Sequence, residues 1–494
     1  MMGGSSESSE LDRMALTVLQ PGFDGTSPPD WLRRALAEGL GGAVLFARNI
    51  ADPDQTAALV AAMREENPGV VVAVDEEGGA ITRLEARTGS SWPGNLALGV
   101  AGDVSLTQRV ARQMGRLLAA ADITLDYAPV VDVNSNPRNP VIGVRSFGAD
   151  PALVARHGVA WIQGMQGAGV AACAKHFPGH GDTMTDSHLA LPTVPVPRDV
   201  LERRDLPPFR AAVDAGVRAV MCGHLLVPAL DDAPATLSHA VLTGLLREEL
   251  GFDGLVVTDA IEMRAVAALR SPGEIAVGAL AAGADAVCVG VSSPEGESVY
   301  ALRDAVVHAV REGSLAEERL AEAAGRALRL AGWYAREAPA RAAALRDADE
   351  GLGLAAATAA LRVIGTAGRP ALRVAPLVVE MSARPTQAVG RATPLGVGGA
   401  LAEVLPGTVR VEVAEGGDLP DLADPGRPLV VAVHEAARHG WIQRLLAEAV
   451  RARPDAVVVE TGLPGTPAGA VYLATHGNSA ASARAAARWL TGGG

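Results

Sequence analysis

Eight short apolar runs, at residues 16–20, 42–46, 70–75, 124–131, 169–174, 219–222, 254–258 and 285–289, recur along the first part of the chain. Segments with helical patterning, such as residues 29–39 and 104–121, separate them. A strand that is apolar on both sides belongs in a parallel sheet covered by helices. Eight of them within about 290 residues point to a TIM-like (β/α)8 barrel rather than an open sheet. The polar residues agree, because Asp75, Lys175, His176, His224 and Asp259 all fall at the C-terminal ends of these runs. Barrels of this kind build their active sites there.

At 494 residues the chain is too long for one ordinary domain. Ser314 to Glu317 reads as a capping box opening a helix to about residue 331. An Ala-, Arg- and Glu-rich stretch at 336–358 reads as a helical linker. A second alternation follows, with strand-like runs at 361–364, 377–380, 409–413, 429–433 and 456–460. The expected division is a disordered Gly-, Ser- and Glu-rich start at 1–12, a catalytic barrel at 13–335, the linker, and a smaller α/β open-sheet domain at 359–494. No phosphate-cradling glycine motif follows any strand of that smaller domain.

Composition narrows the partners. A formal charge of −13 argues against nucleic acid, which needs a basic patch. No run of 18 apolar residues offers a membrane span. The first 12 residues lack the basic start and apolar core of a signal peptide, so a cytoplasmic location is expected. Cys173, Cys222 and Cys288 each sit in an apolar run, an odd and sparse set that fits a reducing compartment. The oligomeric state is not legible.

The densest polar cluster is the stretch from Lys175 to His188, which holds His176, His180, Asp182, Asp186 and His188. Lys175 is the only lysine among 43 basic residues. Where composition has drifted to arginine, a retained lysine suggests a place that needs a compact ammonium rather than a planar fork. Prolines 192, 195 and 197 keep the chain out of helix until about Arg198. A loop of this length and polarity reads as functional. Its imidazoles and carboxylates suit either a metal site, since such donors suit zinc or iron, or proton transfer by a histidine oriented by an aspartate. Asp186 and His188, two residues apart, are close enough to pair. Asp259, ending an apolar strand, could be nucleophile, metal ligand, general base or simply a helix N-cap. Asp75 to Gly79, with Arg83 and the loop arginine Arg145, could hold hydroxyls and anionic groups.

Taken together, Lys175-His176-Phe177-Pro178-Gly179-His180-Gly181-Asp182 followed by Asp186-Ser187-His188 resembles the signature of glycoside hydrolase family 3, in its β-N-acetylglucosaminidase branch. Asp75-Glu76-Glu77-Gly78-Gly79 is similar too, although the branch more often shows Gln second. Arg145-Ser146-Phe147-Gly148, Pro234-Ala235-Thr236-Leu237-Ser238, and Thr258-Asp259 with Met263 complete the likeness, in family order over residues 10–335. The C-terminal domain resembles the family's second domain only loosely.

The resemblance implies retaining hydrolysis of terminal β-linked N-acetylglucosamine, without cofactor or metal. Asp259 would form the glycosyl-enzyme, and His188 paired with Asp186 would be the acid/base. Asp75, Arg83, Arg145, Lys175, His176, His224 and Met263 would hold the sugar. The partner would be a small carbohydrate, drawn from cell-wall muropeptides. A histidine acid/base departs from the usual two-carboxylate arrangement, and some members with this dyad are suspected of using phosphate as acceptor. The alternatives are therefore a β-N-acetylglucosaminide phosphorylase, a family-3 glycosidase of other specificity, and a metal-dependent hydrolase built on the His/Asp loop.

Overall fold

The computed structural model describes residues 4–365, 371–383, 389–390 and 393–493. Contacts divide the chain into two compact units. One comprises residues 1–76, 107–142 and 149–348, the other 77–106, 143–148 and 349–494. Two segments that lie inside the expected barrel by sequence, 77–106 and 143–148, thus group with the C-terminal half.

In the first unit, eight strands run in order: β1 (Leu19–Pro21), β2 (Gly42–Leu45), β3 (Val71–Val74), β4 (Leu125–Asp126), β5 (Ala171–Phe177), β6 (Ala219–Cys222), β7 (Leu255–Thr258) and β8 (Val287–Val289). Strands β2 to β7 pair in sequence order, every pair parallel. β1 pairs β8, and the bridges Gly22–Val44 and Val257–Ala286 join β1 to β2 and β7 to β8. The sheet therefore closes on itself as a (β/α)8 barrel. Val44, Ala73, Tyr127, Cys173, Met221, Val257 and Cys288 pack in its interior. The helix Glu317–Arg336 adds Ala327, Leu330, Trp333 and Tyr334 to the same cluster. Its Tyr334 hydroxyl reaches Asp122 and its Arg326 reaches Asp285, both at strand starts, so this helix covers the N-terminal end of the barrel.

Local differences from the sequence reading have physical causes. Leu16 and Thr17 end a helix, Gly4–Thr17, instead of opening a strand, and the helix buries Leu11, Ala15 and Leu16 on one side. It begins within the segment expected to lack structure, of which residues 1–3 lie outside the described residues. The capping box at Ser314 does not form. The Ser314 hydroxyl turns back to the carbonyl of Ala309, and the helix starts at Glu317 with Ala316 at its N-cap.

The second unit holds β9 (Arg362–Gly365), β10 (Leu377–Met381), β11 (Val409–Val413), β12 (Leu429–Val433), β13 (Val457–Glu460) and β14 (Val471–Ala474), in sheet order β11-β10-β12-β13-β14-β9. Only β9 is antiparallel. Alternate residues serve opposite faces. Val430, Val457 and Leu473 pack with the helix Ala480–Leu490, while Val431, Val458 and Tyr472 pack with the helix Gly440–Ala452.

Candidate active site

The C-terminal end of β7 delivers Asp259. Its backbone NH is tied to the carbonyl of Cys222 on β6 at 3.0 Å, which fixes where the carboxylate emerges. The NH of Ala260 donates to Oδ1 at 2.8 Å. Burial alone would raise the pKa of Asp259, but the charges of His224, His176 and His188, together with that NH, hold it below the usual carboxylate range. Asp259 is therefore an anion surrounded by imidazoles, poised to attack or to stabilise positive charge.

β5 supplies the next groups. Lys175 is 2% exposed and its Nζ lies 2.7 Å from Asp75 Oδ1, at the end of β3. The register between β5 and β6 shifts between Lys175 and Phe177, so His176 sits at a bulge. Bulges re-aim side chains beside active sites. His176 Nδ1 is 2.8 Å from Asp132 Oδ2, and the His176 NH donates to both oxygens of that carboxylate at 3.2 Å. Asp132 also accepts the His180 NH at 2.7 Å. Burial would raise Asp132, yet the His176 and His180 contacts bring it below its ordinary value. Asp132, fully buried after β4, is the functional group that sequence reading passes over. Its signal would have been a carboxylate inside Val130-Val131-Asp132-Val133, a place where an unpaired charge is costly.

The loop after β5 opens with Gly181, where a Cβ would lie 1.7 Å from the Val133 carbonyl oxygen, so only glycine passes. Asp182 pairs with Arg204 at 2.9 Å. Further on, His188 Nδ1 is 2.7 Å from Asp186 Oδ1, and the His188 NH donates to the same oxygen at 2.9 Å. Burial pushes Asp186 upward, but its bonds to His188 outweigh that and leave it an anion. An anionic acceptor at Nδ1 assigns that nitrogen a proton and directs proton exchange to Nε2. Each imidazole of the loop is committed to its own partner: His176 to Asp132, His188 to Asp186, and His180 to Thr183 and Ser187. Among the described residues no three His, Cys, Asp or Glu side chains form a group suited to a metal ion.

His224 lies just after the end of β6. It is buried, with Nδ1 2.7 Å from Thr236 Oγ1 and Nε2 donating to the Ala260 carbonyl at 3.0 Å. Burial holds its pKa down. With both nitrogens engaged, it braces the turn that carries Asp259. Met263 is 7% exposed and closes the same turn, its NH donating to the Ala260 carbonyl.

Arg83 and Arg145 belong to the second unit. Arg83 is 7% exposed. Arg145 forms a two-pronged pair with Glu77, Nε to Oε2 at 2.9 Å and Nη2 to Oε1 at 2.8 Å, and its carbonyl accepts from Asn95 Nδ2 at 2.8 Å. Such a fork fixes the guanidinium plane as well as its position.

A closed parallel barrel thus carries, at its strand ends, a carboxylate, a buried Lys–Asp pair and, on the loop after β5, an Asp–His dyad. The "Glycosyl hydrolase family 3 N terminal domain" profile matches residues 29–330. The chain belongs to glycoside hydrolase family 3. It is 36% identical over 306 residues to a beta-hexosaminidase A of Pseudoalteromonas piscicida, a match covering 57% of this chain and half of that relative's length. It is 37% identical over 281 residues to a beta-hexosaminidase of Alkalilimnicola ehrlichii, covering 56% of this chain and 80% of the relative. A family-3 beta-N-acetylglucosaminidase structure from a Paenibacillus species superposes with a TM-score of 0.86 at 34% identity, over 98% of this chain and 97% of that one.

Proposed function

We propose that this protein is a retaining exo-β-N-acetylglucosaminidase. The observation that carries the reading is Asp259 at the end of β7 together with an Asp186–His188 pair, Oδ1 to Nδ1 at 2.7 Å, on the loop after β5. In the first step an Asp259 oxygen attacks the anomeric carbon, the bond to the leaving oxygen breaks, and the proton on His188 Nε2 passes to that oxygen. In the second step water attacks the same carbon, gives its proton to Nε2, and releases the Asp259 carboxylate. Asp186 stabilises the imidazolium whenever it forms. Lys175, Asp75 and His176 bind sugar hydroxyls, and Arg83 and Arg145 are assigned to the sugar's polar substituents on the resemblance alone. The names of the two relatives and of the Paenibacillus structure support the N-acetyl sugar as substrate.

The reading extends to fragments of cell-wall saccharides as natural substrate and to a cytoplasmic site of action. The three buried cysteines, none in a disulfide, are compatible with a reducing compartment. No described helix is long and apolar enough to cross a membrane. A second reading, transfer to phosphate, is favoured by the histidine standing where a carboxylate is usual, since it repels an anionic acceptor less.

The deciding experiment is p-nitrophenol release from the β-N-acetylglucosaminide and the β-glucoside, with and without phosphate, by the native protein and by Asp259→Asn. Turnover of the N-acetyl sugar alone, independent of phosphate and lost in the Asn variant, is expected. A fully active Asn variant would remove the nucleophile, and a sugar 1-phosphate product would replace hydrolysis by phosphorolysis.

A further inference from the structure

The loop that carries the acid/base dyad is mostly exposed or half-exposed. Met184, Thr185, Leu189 and Ala190 face solvent, and Asp186 and His188 are partly covered. Within 182–190 two residues are buried: Thr183 at 0% and Ser187 at 2%. Both are bonded to one side chain. His180, itself 1% exposed, has Nδ1 2.7 Å from Thr183 Oγ1 and Nε2 3.3 Å from Ser187 Oγ. His180 is in turn fastened to the barrel, because its NH donates to Asp132, the carboxylate that also holds His176.

Ser187 lies between Asp186 and His188 and is held on a second side. Its carbonyl accepts the NH of Ala265 at 3.3 Å, in the short helix Arg264–Ala267 that follows Asp259. A chain of contacts thus runs from Asp132 through His180 to Ser187, and from Ser187 to the segment after the nucleophile.

We propose that His180 and Ser187 are positioning residues, a latch that seats the Asp186–His188 dyad over Asp259. The proposal rests on the acid/base reading above and deepens it. The side-chain bond is long at 3.3 Å. Such a bond has a small net strength, so it can break to admit an aglycone and re-form around it. The latch touches no substrate; it acts by setting where His188 Nε2 stands when the leaving oxygen needs its proton.

The test is the leaving-group dependence of kcat/KM across aryl β-N-acetylglucosaminides of graded acidity, for native protein, Ser187→Ala, Ser187→Thr, His180→Asn and His188→Ala. A misplaced acid matters most where the leaving group is poor. Ser187→Ala should therefore lose roughly tenfold on the least activated substrate and at most about twofold on the most activated. Ser187→Thr, which keeps the hydroxyl, should recover most of the loss. Should His180→Asn fail to fold, the Ser187 variants still decide the matter. If His188→Ala steepens the dependence while Ser187→Ala keeps the native slope, or loses equally on every substrate, the latch is wrong and the acid assignment stands. If His188→Ala itself shows no steepening, the acid/base reading fails first.

Discussion

Lys175 Nζ stands 2.7 Å from Asp75 Oδ1, joining the ends of β5 and β3 across the intervening β4. The lysine is buried at 2% while the Asp75 side chain keeps 22% of its surface open. The ammonium therefore holds from behind a carboxylate that faces the mouth. A closed place of this kind suits a compact point charge better than a wide planar fork, in a chain whose other basic residues are arginine. Lys175→Arg keeps the charge but forces a wide planar group into a closed space. We expect it to lower kcat/KM on the order of 100-fold, since a displacement of about an ångström in a positioning group costs that much. Steady-state kinetics on an aryl β-N-acetylglucosaminide checks it, and near-native activity would show that charge alone suffices.

Asp285 makes the opposite use of buried charge. It is 0% exposed just before β8 and accepts from Arg247, from Arg319 at 2.6 Å, from Arg326 at 3.4 Å and from the Val256 NH at 2.9 Å. This cluster lies at the N-terminal end of the barrel, where conserving geometry serves stability rather than chemistry. Asp285→Asn leaves three guanidinium groups short of their shared anion, at a cost of about 3–5 kcal/mol. The unfolding midpoint should fall by roughly 10 °C, with kcat retained at temperatures where the variant is folded. Calorimetry beside kinetics separates the two; a large loss of kcat in the folded variant would place Asp285 in the catalytic apparatus.

The strand ends were readable because continuous apolar runs stop where the barrel meets solvent, and the residue after each run announces itself by polarity. That logic found Asp75, Lys175, His176 and Asp259. It could not find Asp132, because Asp132 matters through a meeting with His176 that is 44 residues away in sequence and adjacent only once β4 and β5 pair. His224 also lies at a strand end, where its two nitrogens are bonded to Thr236 and Ala260. Nor does local pattern reveal that 77–106 and 143–148 group with the C-terminal half. Arg362 Nη2 reaching the Val100 carbonyl and the Ala481 NH reaching the Ser90 carbonyl are contacts across hundreds of residues, with no periodicity to betray them.

Glu460 gives the second unit a pH signature. It ends β13 fully buried, and its carboxylate accepts the NH groups of Glu435 at 2.8 Å, Ala436 at 3.2 Å and Gly462 at 2.7 Å. These bonds hold Glu435 in a left-handed conformation at φ 52°. Burial pushes the pKa of Glu460 up to about 7, against the three NH donors that pull it down. The folded state then keeps a proton that the unfolded chain releases near its ordinary value of about 4.5. Folded protein binds more protons between those values, so stability falls as pH rises from about 4.5 to 7, the reverse of a salt-bridged carboxylate. Glu460→Gln should remove this slope, on the order of 1–3 kcal/mol across the window. Denaturant unfolding of both proteins at several pH values checks it; parallel curves would mean that Glu460 is ionised throughout.

Asp259 offers a pH test of the site itself. Burial opposes its ionisation, but His224, His176, His188 and the Ala260 NH together hold it below the usual carboxylate range. Burial holds the pKa of His224 down, against the pull of Asp259 and of its bond to the Ala260 carbonyl. As the proposed nucleophile, Asp259 would attack only as an anion. On a highly activated aryl glycoside, which needs little help from an acid, kcat/KM therefore falls on the acid side as Asp259 takes up a proton. Replacing His176 by asparagine removes one of the groups whose field lowers the pKa of Asp259, so Asp259 protonates more readily and the acid limb moves to higher pH. The same replacement leaves the Asp186–His188 pair in place, because His188 is bonded to Asp186 rather than to Asp132. Profiles of kcat/KM against pH for native and His176→Asn protein read the acid limb. An acid limb that stays in place would mean that the charge of His176 is spent on Asp132 and does not reach the nucleophile.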